Sequence, residues 1–282
     1  MTVSAPQIST RSGAITAPSL PLRLTAKPSR VPNWSLRLIS PLALLVLWEV
    51  LVRIGVLNGG VIAPPSKIPG TVVELWGTGD LQAALLISSF RAVSGLLIGA
   101  SLGAAFALIA GLWRTGHHGV DPLARLLLPI PATGLITLFV LVLGIGEWTK
   151  ILLIAFGTFF PVYTNTLHGL RSVDPKFVEL AAVSGLKRGG LIRKVLIPSA
   201  TPSFFVGLRF SVSISWLLLV VAEQLNAKAG LGFLLTEAQR YFRTDIIVTA
   251  LLFYAILGLL SDAIVVGISR LVLPWRKEYV GS

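Results

Sequence analysis

Apolar residues in this chain gather into long blocks separated by short basic or proline-rich stretches. The blocks run near Leu38 to Val56, Leu85 to Trp113, Leu123 to Ile145, Thr149 to Leu167, Ala200 to Val221 and Ile246 to Leu271. Each approaches the roughly 20 residues that a helix needs to cross a hydrocarbon core. The pattern predicts an all-α integral membrane protein with about six transmembrane helices, because a helix satisfies its own backbone polar groups where no water is present. Pro129 and Pro131 fall inside the third block, so a break or kink is expected there.

Two further patterns refine this picture. Gly95, Gly99, Gly103, Ala107 and Gly111 place a small residue at every fourth position of the second block. One helix face is then nearly flat, which lets two backbones approach closely in lipid. The stripe fits packing within the chain and packing between two chains equally. The run Ala63-Pro64-Pro65-Ser66-Lys67-Ile68-Pro69 is expected to be non-helical, with a short interfacial helix over Thr71 to Trp76.

Composition supports a membrane home. Of 282 residues, 54% are hydrophobic and 13% charged, against about a quarter charged in a soluble domain. The formal net charge of +12 first suggests nucleic acid. The basic residues lie between apolar blocks instead of on one surface, so no nucleic-acid partner is expected. They follow the rule that cytoplasmic loops hold Lys and Arg. With six spans both termini share a side, which also holds the basic stretch Arg171 to Lys194 and Arg270, Arg276 and Lys277. The other side mixes Lys67, Lys150 and Lys228 with Glu74, Asp80 and Glu147. Both termini and the Arg171–Lys194 loop are therefore assigned to the cytoplasm. Residues 1–37 contain no Asp or Glu and many Ser, Thr and Pro. That composition is shared by organelle transit peptides and by disordered basic cytoplasmic tails; the second reading is adopted, with residues 38–282 as the transmembrane domain. No secretory signal precedes Leu38. The absence of cysteine excludes disulfides and thiol chemistry.

The richest segment, about 170–198, precedes the fifth block. Asp174 and Pro175 have the order of an N-cap and first helical residue. Glu179-Leu180-Ala181-Ala182-Val183-Ser184-Gly185 follows, with Gly185 placed to end the helix in a left-handed turn. Lys187 and Arg188 add charge favoured near a helix C-terminus, and Gly189-Gly190 is expected to loosen the chain before a second helix that Pro198 would stop.

An ordinary basic loop would carry the charge but not this ordered series. Glu179, Ala181, Gly185, Val195, Ile197 and Pro198 fall on the EAA pattern of binding-protein-dependent ABC importer permeases, with Ala182 beside them. The chain resembles that family from about Leu38 onward; Leu180 departs from the usual alanine and Val195 from the commoner isoleucine. Pro64-Pro65-Ser66, the run Gly157 to Tyr163, Ala222-Glu223 and Ala229-Gly230-Leu231-Gly232 resemble the sulfonate, taurine, nitrate and bicarbonate branch, and Gly157 to Asp174 the aliphatic sulfonate permeases most.

The resemblance implies a type I importer fold and a cytoplasmic (inner) membrane location. It also implies a homodimer with two ATP-binding cassette subunits, and a periplasmic or lipid-anchored substrate-binding protein. Glu179 to Gly185 would form the coupling helix, with Lys187 and Arg188 at its edge. This chain has no G-x-x-x-x-G-K-[ST] loop, so ATP and magnesium are expected on the partner ATPase and no cofactor or catalytic residue on this chain. An aliphatic sulfonate is the expected cargo, with taurine, nitrate, bicarbonate or a neutral heterocycle as alternatives. An ion-coupled secondary transporter is the rival of a different class; it would favour buried acid relays and inverted repeats.

Charges inside apolar blocks are costly and therefore informative. Arg209 and Asp262 lie at similar depth in the fifth and sixth blocks and are expected to pair, with attraction of an anionic substrate as the alternative role of Arg209. Glu49 and Arg91 are a second expected pair. Glu223 is read as an interfacial acid in water, or as part of an outer gate. His117, His118 and His168 lack the spacing of a metal site.

Overall fold

A computed structural model describes residues 33–56 and 62–274. The expected tail lies outside the described residues, apart from 33–37, which open the first helix. The described residues form helices α1 (Asn33–Arg53), α2 (Ile68–Thr78), α3 (Asp80–Leu112), α4 (Arg114–Leu127), α5 (Ala132–Leu143) and α6 (Glu147–Arg171). Next come α7 (Pro175–Val183), α8 (Arg188–Leu191), α9 (Ile197–Asn226), α10 (Leu231–Arg240) and α11 (Thr244–Val272). No strand occurs among the described residues. The chain divides between Leu45 and Val46 into two units, and the second carries every helix from α2 onward.

Four helical runs are long and apolar enough to cross a bilayer: α3, α6, the run Arg188–Leu225 that contains α9, and α11. The expected third span is divided, as its prolines require. Pro131 lacks an amide hydrogen and adopts extended backbone, so α4 ends at Leu127 and α5 begins afresh at Ala132. The 12 residues of α5 reach about 18 Å at 1.5 Å per residue, well short of a hydrocarbon core. The proline-rich run after α1 also differs from expectation. Pro65–Lys67 form a 3-10 turn, and α2 begins at Ile68 with Pro69 in its first turn, where a missing amide hydrogen costs nothing.

At the centre lies α6, packed on α3 along one side and on α9 along another. The small-residue stripe of α3 faces α6, which settles its role as packing within the chain. A methyl group added at Gly95 would sit 2.6 Å from Ile154 Cβ, and one at Gly103 would sit 2.6 Å from the Phe159 carbonyl oxygen. At Gly99 it would overlap Thr158 and the Ala155 carbonyl. The opposite contact uses glycines on both partners. A methyl at Gly169 would meet Ser203 Cβ at 2.7 Å, and one at Gly207 would meet the Pro161 carbonyl oxygen at 2.5 Å. Pro161 inside α6 removes the usual donor to the Gly157 carbonyl. Nearby, Ser211 Oγ donates to the Thr158 carbonyl at 2.8 Å and Asn165 Nδ2 to the Pro161 carbonyl at 2.8 Å.

Side-chain ties join α2 to α11 and α4 to α6. Thr71 Oγ1 donates to Asp245 Oδ2 at 3.0 Å, linking α2 to α11. Arg243, just before α11, donates to Asp245 at 2.8 Å and to Glu74 at 2.9 Å. Those carboxylates, Asp245 first, raise the Arg243 pKa above its ordinary value. At the other end, Tyr163 Oη donates to Asp121 Oδ1 at 3.2 Å, and Arg171 Nη2 lies 3.3 Å from Asp121 Oδ2, which holds α4 against α6.

The close approach of α3 and α6 predicts a sharp difference between glycines. Gly103→Val should destabilise the detergent-solubilised protein by about 1–3 kcal/mol or more. Gly77→Ala, on an α2 position with nothing within 4 Å, should be neutral or stabilising by up to about 1 kcal/mol. Thermal unfolding of the two variants measures the contrast, and equal behaviour would refute the packing.

Candidate coupling loop and buried charge cluster

The loop between α6 and α9 is built by local rules. Asp174 caps α7 by accepting from the Lys176 amide at 2.9 Å, and Pro175 occupies the first helical position. Gly185 adopts φ +71°. Its amide donates to the Ala182 carbonyl at 3.0 Å and the Leu186 amide donates to the Ala181 carbonyl at 3.0 Å. These two bonds make a Schellman ending, which requires a left-handed residue where Gly185 stands.

The faces of α7 differ. Ala181 points inward and is 4% exposed, while Val183 is 88%, Leu180 63% and Phe177 57% exposed. Phe177, Leu180 and Val183 follow one another at three-residue spacing and so share one helix side. Leu180, where the pattern usually has alanine, therefore enlarges an outward apolar face. Glu179, Ala182, Gly185 and Lys187 are also exposed.

Arg188, expected at the edge of the coupling helix, is exposed, and its Nη2 donates to the Leu112 carbonyl at 3.0 Å, capping the C-terminus of α3. The expectations for Gly189-Gly190 and Pro198 are corrected: Pro198 does not stop a helix. It stands in the first turn of α9, and Gly189 and Gly190 lie inside α8. Between them Ile192–Leu196 form a π turn. Proline supplies no amide hydrogen and its ring crowds the carbonyl four residues back, so the widened turn carries the helix past it. Val195 lies in that turn and Ile197 opens α9.

A second constellation was hidden in the sequence. Glu223, expected in water, is 1% exposed. Arg91 Nη1 donates to Glu223 Oε1 at 2.6 Å, Tyr254 Oη donates to Oε2 at 2.9 Å and the Gly232 amide donates to Oε2 at 2.8 Å. Ser88 Oγ lies 2.8 and 2.9 Å from the two carboxylate oxygens and accepts from the Leu231 amide at 2.9 Å. Arg91 also grips Glu147 through two bonds, Nε to Oε2 at 2.6 Å and Nη2 to Oε1 at 2.7 Å, and Nη1 donates to the Ala229 carbonyl at 2.7 Å. Lys150 Nζ donates to Glu147 Oε1 at 3.0 Å. Two cations and two carboxylates thus tie together α3, α6, α9, α11 and the start of α10.

The glycines of Ala229-Gly230-Leu231-Gly232 explain how the chain closes over these charges. Gly230 has φ +117°, and a methyl there would lie 2.7 Å from Glu223 Cδ and 2.8 Å from Arg91 Nη1. At Gly232 it would crowd Glu223 and stand 3.3 Å from the Gln224 amide. Only bare backbone can donate to the carboxylate from so near.

The expected Glu49–Arg91 pair does not form. Glu49 accepts from Arg53 Nε at 2.7 Å, one helical turn away, and from the Ser66 amide at 3.0 Å. Arg91 is committed to Glu147 and Glu223 instead. Arg209 and Asp262 face each other in a bidentate pair, with Nε to Oδ1 at 2.8 Å and Nη2 to Oδ2 at 2.9 Å, and both side chains stay partly exposed. Among the described residues no group of His, Asp and Glu gathers into a metal site.

Residues 95–277 match the model of a family described as the binding-protein-dependent transport system inner membrane component. The chain is 37% identical over 256 residues to the aliphatic sulfonates transport permease protein SsuC of Bacillus subtilis, covering 90% of this chain and 93% of the relative. It is 38% identical over 250 residues to the Escherichia coli protein of the same name, covering 89% and 94%. Its fold is similar to the MetNI methionine ABC transporter in inward-facing conformations, with TM-score 0.53, 18% identity and coverage of 69% of this chain and 95% of that one.

Removing one member of a buried, hydrogen-bonded ion pair leaves its partner charged and unmatched. Glu223→Ala should cost about 3–5 kcal/mol. Arg91→Met combined with Glu223→Ala should cost clearly less than the two single changes added, with a coupling above about 1 kcal/mol. A double-mutant cycle on unfolding in detergent measures this; strict additivity would contradict the network.

Proposed function

Because the chain belongs to the binding-protein-dependent transport system inner membrane component family, we propose that it carries an aliphatic sulfonate inward as the permease of an ATP-driven importer. The observation that supports the coupling role is the outward side of α7. Phe177, Leu180 and Val183 present an apolar face on a loop fixed by an Asp174 cap, a Schellman ending and the Arg188 tie to α3. A rigid helix with a greasy outer face suits the cleft of a soluble partner. That partner is an ATP-binding cassette subunit, which holds ATP and magnesium.

Two such ATPases and a second copy of the permease complete the transporter, and a periplasmic or lipid-anchored binding protein delivers the sulfonate. The chain sits in the cytoplasmic membrane with both termini and the Arg171–Lys194 loop inside, following its basic residues. Glu179, Ala181, Ala182 and Gly185 form the coupling segment, with Lys187 at its rim and Val195, Ile197 and Pro198 leading into α9. The helical run from Arg188 to Leu225 is continuous. A displacement of α7 would enter this run through the turn at 184–187 and travel along α9, which bears Arg209 near its middle and Glu223 near its far end. Such a shift alternates access only if docking differs between the two states.

Growth on an alkanesulfonate as sole sulfur source tests the reading. In a strain lacking this gene and any parallel sulfonate uptake system, the intact gene should restore growth. A Glu179→Lys, Gly185→Asp double variant at equal membrane level should not, and growth on sulfate should be normal throughout. Rescue by the double variant would overturn the coupling role; normal growth of the deletion strain would overturn the sulfonate assignment.

A further inference from the structure

Beside the charge cluster, between α3 and the start of α6, lies an open hollow of about 720 Å³, within the size range of small-ligand sites. Its wall is apolar: Leu86, Ile87 and Phe90 on α3, and Ile145 before α6. Lys150 on α6 and Lys228 before α10 also line it. Lys150 is 5% exposed, and its ammonium carries three donors. Glu147 Oε1 engages one of them at 3.0 Å, and no other hydrogen bond to Nζ occurs among the described residues. A buried ammonium with unused donors is costly, and an anion in the hollow would relieve that cost. Lys228 stands exposed at the mouth.

Arg91 lines the same hollow but is already committed. Its Nε, Nη1 and Nη2 all donate to Glu147, Glu223 or the Ala229 carbonyl. The cluster of Arg91, Lys150, Glu147 and Glu223 is neutral, so Lys228 leaves the hollow with one positive charge in excess. A cleft of one sign with low-dielectric walls concentrates the opposite ion. A bare inorganic anion would leave the apolar wall wet. An oxyanion bearing a short alkyl chain satisfies both sides.

We propose that this hollow is a subsite for an amphiphilic oxyanion, with Lys150 and Lys228 receiving the oxyanion head and Leu86, Ile87, Phe90 and Ile145 the alkyl chain. The inference rests on the sulfonate reading and adds to it the residues that select chain length. A membrane lipid phosphate has the same head-and-chain chemistry, so the test separates the two sources.

The test is uptake of radiolabelled ethanesulfonate and hexanesulfonate by the complete importer with saturating binding protein, in vesicles of phosphatidylcholine alone and with added phosphatidylglycerol. Lys228→Gln should slow both substrates by about tenfold through loss of a charge-assisted contact. Phe90→Ala should lower the hexanesulfonate to ethanesulfonate rate ratio by about threefold or more, because it removes apolar wall. Both effects should be the same in the two lipid mixtures. Rates and ratio unchanged by either variant would overturn the subsite while leaving the importer reading intact. A Lys228→Gln effect confined to phosphatidylglycerol vesicles would assign the hollow to lipid phosphate instead. No uptake of either sulfonate by the unaltered complex would overturn the function and the subsite together.

Discussion

The structure depends on the close approach of three backbones. In lipid there is no hydrophobic force between helices, so contact has to come from packing and hydrogen bonds. Here α6 meets α3 across Gly95, Gly99 and Gly103, and meets α9 across Gly169 and Gly207. At that spacing polar groups cross between helices where larger side chains would hold them apart. Ser211 reaches the Thr158 carbonyl in this way, and Thr158 itself is completely buried between the two contacts. The result is a three-helix slab whose parts have little room to slide separately, because close-packed interiors transmit displacement more readily than they absorb it.

The α7 loop and the buried charge cluster lie toward opposite ends of that slab, and α9 runs between them. Near one end the helical run leaves α8 through a π turn and passes Pro198. Near the other end it carries Glu223, whose carboxylate gathers Arg91, Ser88, Tyr254 and the backbone of Gly232. Residues 184–187 join α7 to that run, so under the proposed coupling a push on α7 would reach, along α9, the charges that tie α3, α6, α10 and α11 together. Buried ion pairs in general add little net stability over apolar residues of the same volume. This cluster nevertheless makes contacts from five elements, and its partly exposed member, Glu147, lines the hollow between α3 and the start of α6.

Much of this was legible in the sequence, for local reasons. Asp174-Pro175 and Gly185 carry their own backbone instructions, so the start and end of α7 could be read directly. The four-residue spacing of glycines on α3 announced close packing, though only the structure shows that α6 is the partner. Pro129 and Pro131 announced a break. Where the reading failed, the cause was a partner distant in sequence. Glu223 looked like an acid at a water boundary because Ser88, Arg91 and Tyr254, which bury it, lie far along the chain. The signal lay in the partners open to Arg91: an arginine inside an apolar block requires acids, and Glu147 and Glu223 both begin or end neighbouring helices. Glu49 pairs instead with Arg53, one turn later on the same helix and the nearer cation. Pro198 was read as a stop because proline breaks a regular α-helix; a π turn is a tertiary solution that the residue types do not announce.

The chain contains no cysteine, which permits a direct test of the α7 interface. A benzophenone attached at Val183→Cys, on the outward face of the loop, would be photoactivated in the assembled membrane complex, with Tyr241→Cys at the far end as the comparison. The account predicts an adduct with the ATPase subunit from position 183, altered in yield by ATP, and none from position 241. Equal labelling from the two positions, or no ATPase adduct from position 183, would contradict it.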